Sequence, residues 1–372
     1  MENLEKEVLK TRIWLKERFQ DYYKGSKLAY MPENIHQREF GFGSFSKKIA
    51  VRHRGFKDEK DLQEYVRKEA PAHVNHSTAR YRFPATEMAD KEHLGTDLIF
   101  DIDVGDLNLP CSKEHGPNWV CETCFEALKK EIIKLKDFLM EDFGFGAGEM
   151  TINFSGSRGY HLRIQNGKVL SLDEKARKEI TNYLSFEVDI GEFIKDIDGR
   201  IRGPLPGEGG LRGRIARTVI NEISGDDRIT EKKSVIEQIK EGNWGAFPRG
   251  YGLKRIGEYA KNSAVRIPVD SKVTTDLSHL IRLPETLHGG SGLLAKVVDD
   301  LDSFEPMGEC FVFGAEETKV EIMNAVPEFM ARGERTGPFD KGGRKVPLFI
   351  AVFLACKGFA TINEKKAQSR PA

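Results

Sequence analysis

The run DLIFDID, residues 97–103, narrows the fold more than any other feature of this chain. Its apolar residues are large or β-branched, so it reads as a strand. Side chains on a strand alternate, so Asp101 and Asp103 share one face, while Phe100 and Ile102 share the other and pack into a core. Two neighbouring carboxylates repel, and each resists ionising without compensation. A divalent cation removes that conflict, and Mg²⁺ or Mn²⁺ takes oxygen ligands of this kind. A solvated or salt-bridged pair at a strand end is the plainer alternative. Asp106 is out of phase with the pair and enters the turn, where it reads as a solvated residue.

A second chemistry follows at once. Cys111, His115, Cys121 and Cys124 have the spacing C-x3-H-x5-C-x2-C. Zinc takes four tetrahedral nitrogen or sulfur ligands, and a two-residue gap lets both cysteines reach one ion. Four protein ligands leave no open position, so the expected role is structural. The segment 105–120 has little apolar content, as suits a loop that a metal holds together. Free thiols beside a chance histidine are the alternative. The other cysteines, Cys310 and Cys356, stand alone. With no export signal, this is not a disulfide framework, and a reducing cytoplasm is expected.

The remaining chain mixes helices and strands. With 39% hydrophobic and 31% charged residues, the 372-residue chain is globular and long enough for one large or two ordinary domains. Net charge is zero, so a polyanionic partner must be met by a local patch. The charged, periodic N-terminus reads as an amphipathic helix to about residue 25. REFGFGSFSKKIAVRH (38–53) reads as a hairpin and residues 60–69 as a short helix. The Cys/His segment reads as a loop, followed by an amphipathic helix over 124–143 and by strand, Gly-rich turn and strand over 148–164. Residues 170–262 turn to charged helical stretches broken by Gly and Pro, as in an insertion. Strand and turn chemistry returns at 266–298. VPLFIAVFLAC (346–356) is too short to cross a bilayer and reads as a buried helix. The class is α/β or α+β with a mostly antiparallel sheet.

Two turns carry anion-binding chemistry. SGSRGYH (155–161) supplies Ser155, Arg158 and His161 around glycines that leave backbone N–H groups open to phosphate. Arg158 adds a charge-assisted contact. A salt-bridged turn with a core histidine is the alternative. LIRLPETLHGGSG (280–292) places His288 in a second Gly-rich turn. A turn histidine capping its own backbone is the alternative there. Asp270 is a candidate third carboxylate, with Asp276 competing for that role. RIRGPLPGEGGLRGRIAR (200–217) holds five arginines and one glutamate. It reads equally as a path for a phosphate backbone and as a charged solvated loop. Arg38, Arg52 and His53 could line the same cleft.

In combination and order, MPENIHQREFGFGSF with VRH, DLIFDIDV, the Cys/His knuckle, FSGSRGYH and VDSKVTTDLSHLIRLPETLHGGSGL resemble the catalytic small subunit of archaeal and eukaryotic DNA primases, the archaeal form most closely. The resemblance covers most of the chain. It implies a two-layer α/β catalytic domain over 1–169 and 263–372, with a zinc knuckle at 105–125 and an inserted, mainly helical subdomain at 170–262. It assigns Asp101, Asp103 and Asp270 to two Mg²⁺ or Mn²⁺ ions. Ser155, Arg158, His161 and His288 fall to the nucleotide triphosphate, and Cys111, His115, Cys121 and Cys124 to structural zinc. It implies synthesis of short RNA primers, with DNA as a further product, on single-stranded DNA template from nucleoside triphosphates. A large primase subunit is the implied partner, no membrane is involved, and a cytoplasmic, fork-associated location follows. One departure stands out. Many relatives carry a lysine two residues after the last histidine, where this chain has Gly290, so that phosphate contact is either missing or supplied elsewhere, with Lys296 and Arg282 as the candidates. A repair-type primase-polymerase, a zinc-stabilised nucleic-acid-binding protein without catalysis and a metal-dependent nuclease are the competing readings.

Overall fold

The computed structural model describes residues 2–246, 257–258 and 265–362. Parts of the expected insertion (247–256 and 259–262), residues 263–264 and the tail 363–372 lie outside the described residues. The chain divides into two compact units. The first comprises Met1–Lys129, Thr151–Leu172 and Asp276–Ala372, the second Lys130–Met150 and Asp173–Thr275. Helices combine with antiparallel sheets in an α/β fold.

In the first unit, the hairpin Phe40–Ser44 and Lys47–Arg54 continues through His73–Ser77 to Leu280–Arg282 in a four-stranded sheet. Register shifts bend the hairpin at Phe42. A second four-stranded sheet runs Lys296–Val297, Met150–Phe154, Gly159–Ile164 and, at its edge, Leu98–Asp103. As the alternation requires, Phe100 and Ile102 are fully buried, while Asp101 and Asp103 are half-buried. The apolar run near the C-terminus forms the buried helix Leu348–Cys356, which packs beside the three-stranded sheet of Gly342–Pro347, Glu317–Ile322 and Ala360–Ile362. The N-terminal helix Glu2–Gly25 buries Leu15, Phe19 and Tyr23. Among the described residues, no helix is long and apolar enough to cross a membrane.

Arg38 does not line a cleft. Its side chain and that of Asp97 are both 0% exposed, and Nη2 meets Asp97 Oδ2 at 2.7 Å. Its Nη1 donates to the carbonyls of Ser77 (3.2 Å) and Thr78 (2.6 Å). The Asp97 N–H also donates to Thr78 O at 3.0 Å. Arg38 enters the first sheet and Asp97 enters the strand Leu98–Asp103, so the pair ties the two sheets together. Arg52 and His53 likewise turn to a carboxylate, the buried Glu39.

The second unit contains the helices Glu174–Leu184, Gly210–Gly225 and Lys232–Lys240 and the exposed ribbon Lys195–Ile197 and Arg200–Arg202. Its core collects Ile215, Val219, Ile223, Ile239 and Trp244. Three arginines of the basic segment are committed inside this unit. Arg212 pairs with Glu208, Arg217 donates to Pro206 O, and Arg214 grips Asp142 and Glu141 while lying over the Phe138 ring. Arg200 and Arg202 stand exposed on the ribbon without a carboxylate partner among the described residues, while Arg212 and Arg217 are exposed but paired and Arg214 is half-buried.

Removing one partner of a buried ion pair leaves the other charge uncompensated, at a cost of about 3–5 kcal/mol. Asp97→Ala should therefore lower the urea-unfolding free energy by about that amount; a loss below about 1 kcal/mol would show that the clasp does not hold the sheets.

Candidate active site and metal knuckle

Three turns of the first unit carry the candidate residues. The strand Leu98–Asp103 pairs with Gly159–Ile164 so that Asp101 faces His161 and Asp103 faces Gly159. This register alone brings the carboxylate pair beside the Gly-rich turn. Asp101 is 25% exposed and its Oδ1 lies 3.5 Å from His161 Nε2. Asp103 is 30% exposed and its Oδ1 lies 3.3 Å from Arg158 Nη2. The same Oδ1 accepts from Gly105 N–H at 2.9 Å, while Asp106 Oδ2 accepts from Asp103 N–H at 3.1 Å. Asp106 is thus a capping residue that fixes the chain behind Asp103 while its side chain stays exposed to solvent, as expected.

His161 is buried, and desolvation, with Arg282 adding to it, pushes its pKa down to about 3. It is neutral at physiological pH. Asn153 Nδ2 donates to its Nδ1 at 3.2 Å, which leaves Nε2 carrying the proton toward Asp101. Ser155 closes its own turn, its Oγ accepting from Gly159 N–H at 3.2 Å. Gly156 has φ +80°, and a Cβ there would come within 2.9 Å of His288 Cβ. Only glycine lets these two turns meet. Ser291 Oγ completes the junction by donating to Gly156 O.

His288 sits in the turn held from behind by Tyr23, whose hydroxyl accepts from Leu287 N–H at 3.1 Å. Its Nδ1 accepts from Gly290 N–H at 3.2 Å, and its ring stands edge-on to His73 at 4.9 Å. Burial, reinforced by Arg282, pulls its pKa well below normal. Arg282 itself is buried, donating to His73 Nδ1 (2.6 Å) and Val74 O (3.3 Å), and burial lowers it to about 10. No carboxylate pairs with Arg282 among the described residues, whereas Lys296 is committed to Glu309 at 2.5 Å. Of the two alternatives for the contact missing at Gly290, Arg282 is therefore the cation without a counter-ion. Asn153 and His73 carried no signal of their own in the sequence; only strand pairing shows what they touch.

Asp270 belongs to the second unit, where its Oδ1 accepts from Lys272 N–H at 2.8 Å at the start of the short helix Ser271–Thr275. Its competitor Asp276 belongs to the first and is absorbed by its own loop. Ser278 donates to it twice at 2.8 Å, and the neighbouring His279 holds its carboxyl well below the usual range.

The Cys/His segment is not all loop. Cys111 and His115 lie on the short helix Cys111–His115, and Cys124 opens the long helix Glu122–Glu141. The ligand atoms of Cys111, His115, Cys121 and Cys124 all lie within 4.8 Å of one another. Cys124 Sγ is 3.5 Å from Cys111 Sγ, 3.6 Å from Cys121 Sγ and 3.3 Å from His115 Nε2. A tetrahedron with zinc–sulfur bonds of about 2.3 Å has sulfur–sulfur edges of about 3.8 Å, so the donor set fits zinc. His115 Nδ1–H donates to Gly116 O at 2.9 Å, which fixes Nε2 as the ligating nitrogen. Burial pushes the Cys124 thiol up to about 12, a penalty on its thiolate that a cation would offset. The carboxylate pair offers oxygen donors only, as a hard divalent cation requires.

The family model for the DNA primase small subunit matches residues 100–300, more than half of the chain. The chain is 33% identical to the DNA primase small subunit PriS of Methanothrix thermoacetophila, over 95% of this chain and 99% of that protein. It is 32% identical to that of Archaeoglobus fulgidus over 95% and 99%, and 30% identical to that of Cenarchaeum symbiosum over the same shares. With the matched segment running from the carboxylate strand through both Gly-rich turns, the chain belongs to the DNA primase small subunit family, in its archaeal branch.

Proposed function

We propose that this chain is the catalytic subunit of a DNA primase, making short RNA primers, and DNA as a further product, de novo on single-stranded DNA. The observation that carries this reading is the register that sets Asp101 and Asp103 against His161 and the Arg158 turn. A pair of carboxylates for divalent ions thereby adjoins a pair of groups for phosphate.

Asp101, Asp103 and, by the family resemblance, Asp270 are assigned to two Mg²⁺ or Mn²⁺ ions. When bound, such ions activate a 3′-hydroxyl and stabilise leaving pyrophosphate. Arg158, which faces Asp103 in the structure, would present its fork to the triphosphate if Asp103 held a cation. Neutral His161 donates its Nε2 proton without adding charge. His288 and the N–H groups of the two glycine turns complete the anion pocket, and buried Arg282 answers its charge from behind. Ser155 holds the turn in shape. Preformed positioning and charge of this kind supply the rate in phosphoryl transfer. Cys111, His115, Cys121 and Cys124 are assigned to structural zinc. Residues 170–262 are assigned as the inserted subdomain within the catalytic domain 1–169 and 263–372. The relatives' name, small subunit, points to a large primase subunit as partner, with nucleoside triphosphates and DNA template as substrates at the replication fork in the cytoplasm.

With single-stranded DNA, Mg²⁺ or Mn²⁺ and labelled nucleotides but no primer, the chain, alone or with its large subunit, should make new short products. Asp101→Ala or Asp103→Ala should cut that synthesis at least 10²–10³-fold, roughly the scale of a lost charge-stabilising group, with DNA binding retained. Elongation of added primers alone would favour a repair polymerase, and template degradation a nuclease. Elemental analysis should find zinc in the purified chain. Cys121→Ser should lose the zinc and lower the melting temperature, whereas Asp101→Ala should keep both; zinc retained in full by Cys121→Ser would remove that cysteine from the ligand set.

A further inference from the structure

The turn between the zinc ligands His115 and Cys121 touches the candidate active site. Arg158 Nη1 donates to the Pro117 carbonyl at 2.9 Å, while Nη2 of the same guanidinium faces Asp103. The next carbonyl, Asn118, accepts from Lys357 Nζ at 3.0 Å. Lys357 caps the helix Leu348–Cys356, and its ammonium lies 5.8 Å from the centroid of Trp119 and 5.4 Å from that of Phe353. Trp119 is buried edge-on against Phe329, Phe353 and Phe359, with centroids 5.2–5.8 Å apart. Two cations thus converge on adjacent carbonyls of one turn. Burial, and then the charge of Arg158, lower Lys357 to about 8, as two close cations without a shared counter-ion require.

A guanidinium held at one end by a fixed carbonyl has its plane set before any phosphate arrives. The carbonyl is fixed because the turn is closed by the metal ligands on both sides, plugged by Trp119 and tied down by Lys357. We propose that the turn Gly116–Val120, held by Lys357, is a positioning element for Arg158, through which the metal knuckle sets nucleotide affinity. Lys357 is the positioning residue and acts through the turn, without touching the nucleotide. The inference rests on Arg158 being a phosphate ligand, as proposed above.

The experiment is a double-mutant cycle on the zinc-loaded full chain, reading ATP affinity with Mg²⁺ present and amide exchange over Gly156–Gly159. Lys357→Met keeps the stem on the aromatic rings and removes the donor. It should weaken ATP binding about tenfold, the scale of coupling between neighbours, and speed exchange in the 156–159 turn. Zinc content should stay unchanged, and Lys357→Arg should restore both readouts. In an Arg158→Ala background, Lys357→Met should change ATP affinity no further. If Lys357→Met disturbs folding, Lys357→Gln serves the same cycle. Unchanged affinity and exchange overturn the proposal. So does a full effect that persists without Arg158, which would mean that Lys357 meets the phosphates itself. If Arg158→Ala binds ATP normally, the phosphate reading of Arg158 fails; faster exchange at 156–159 in Lys357→Met then still upholds the clamp, and unchanged exchange overturns it.

Discussion

The buried pair of Arg38 and Asp97 is the contact on which the first unit turns. Arg38 leads into one sheet and Asp97 into the other, and neither side chain reaches water. Burial penalises both charges, lowering Arg38 and raising Asp97, and each offsets the penalty on the other. Such a pair adds little net stability compared with an apolar replacement, but it tolerates few alternative arrangements. The strand that follows Asp97 carries Asp101 and Asp103, so its phase is set at its first residue. A one-residue slip would turn the carboxylates into the core and Phe100 and Ile102 outward.

Local periodicity made much of this legible. The alternation in DLIFDID told which residues face the core, and the Cys/His spacing told that one ion could gather four ligands, because both are properties of a few neighbouring residues. Partners far away in sequence were not legible. Arg38 reads as a surface cation until its carboxylate, 59 residues on, is known. The arginines at 212, 214 and 217 looked available for nucleic acid, yet Arg214 meets its acids 72 and 73 residues upstream. The capping role of exposed Asp106 is hidden for a subtler reason: only the short helical turn after Asp103 brings this out-of-phase carboxylate back to the Asp103 N–H.

The geometry also separates side chains that hold the turns from side chains left partly exposed beside them. Ser155, Asn153, Ser291 and Tyr23 close turns or fix a ring, whereas the side chains of Asp101, Asp103 and Arg158 keep 25%, 30% and 37% of their surface exposed. The three histidines of this region, His73, His161 and His288, are all kept neutral by burial beside Arg282. Positive charge in the pocket thus comes from arginine, whose charge does not vary with physiological pH.

The aromatic seat of Trp119 also bears on synthesis of the chain. The four candidate metal ligands lie within one short stretch and can gather as soon as that stretch leaves the ribosome. The rings that receive Trp119 are Phe329, Phe353 and Phe359, more than two hundred residues later. The turn that holds His288 similarly waits on a tyrosine 264 residues earlier. Contacts so distant form late, because they require nearly the whole chain. A nascent polypeptide can therefore carry a finished knuckle and a finished carboxylate strand with no working relation between them. The seat of the knuckle is completed only by residues 329–359, so a chain terminated before them would carry the Cys/His cluster without the aromatic pocket that receives Trp119.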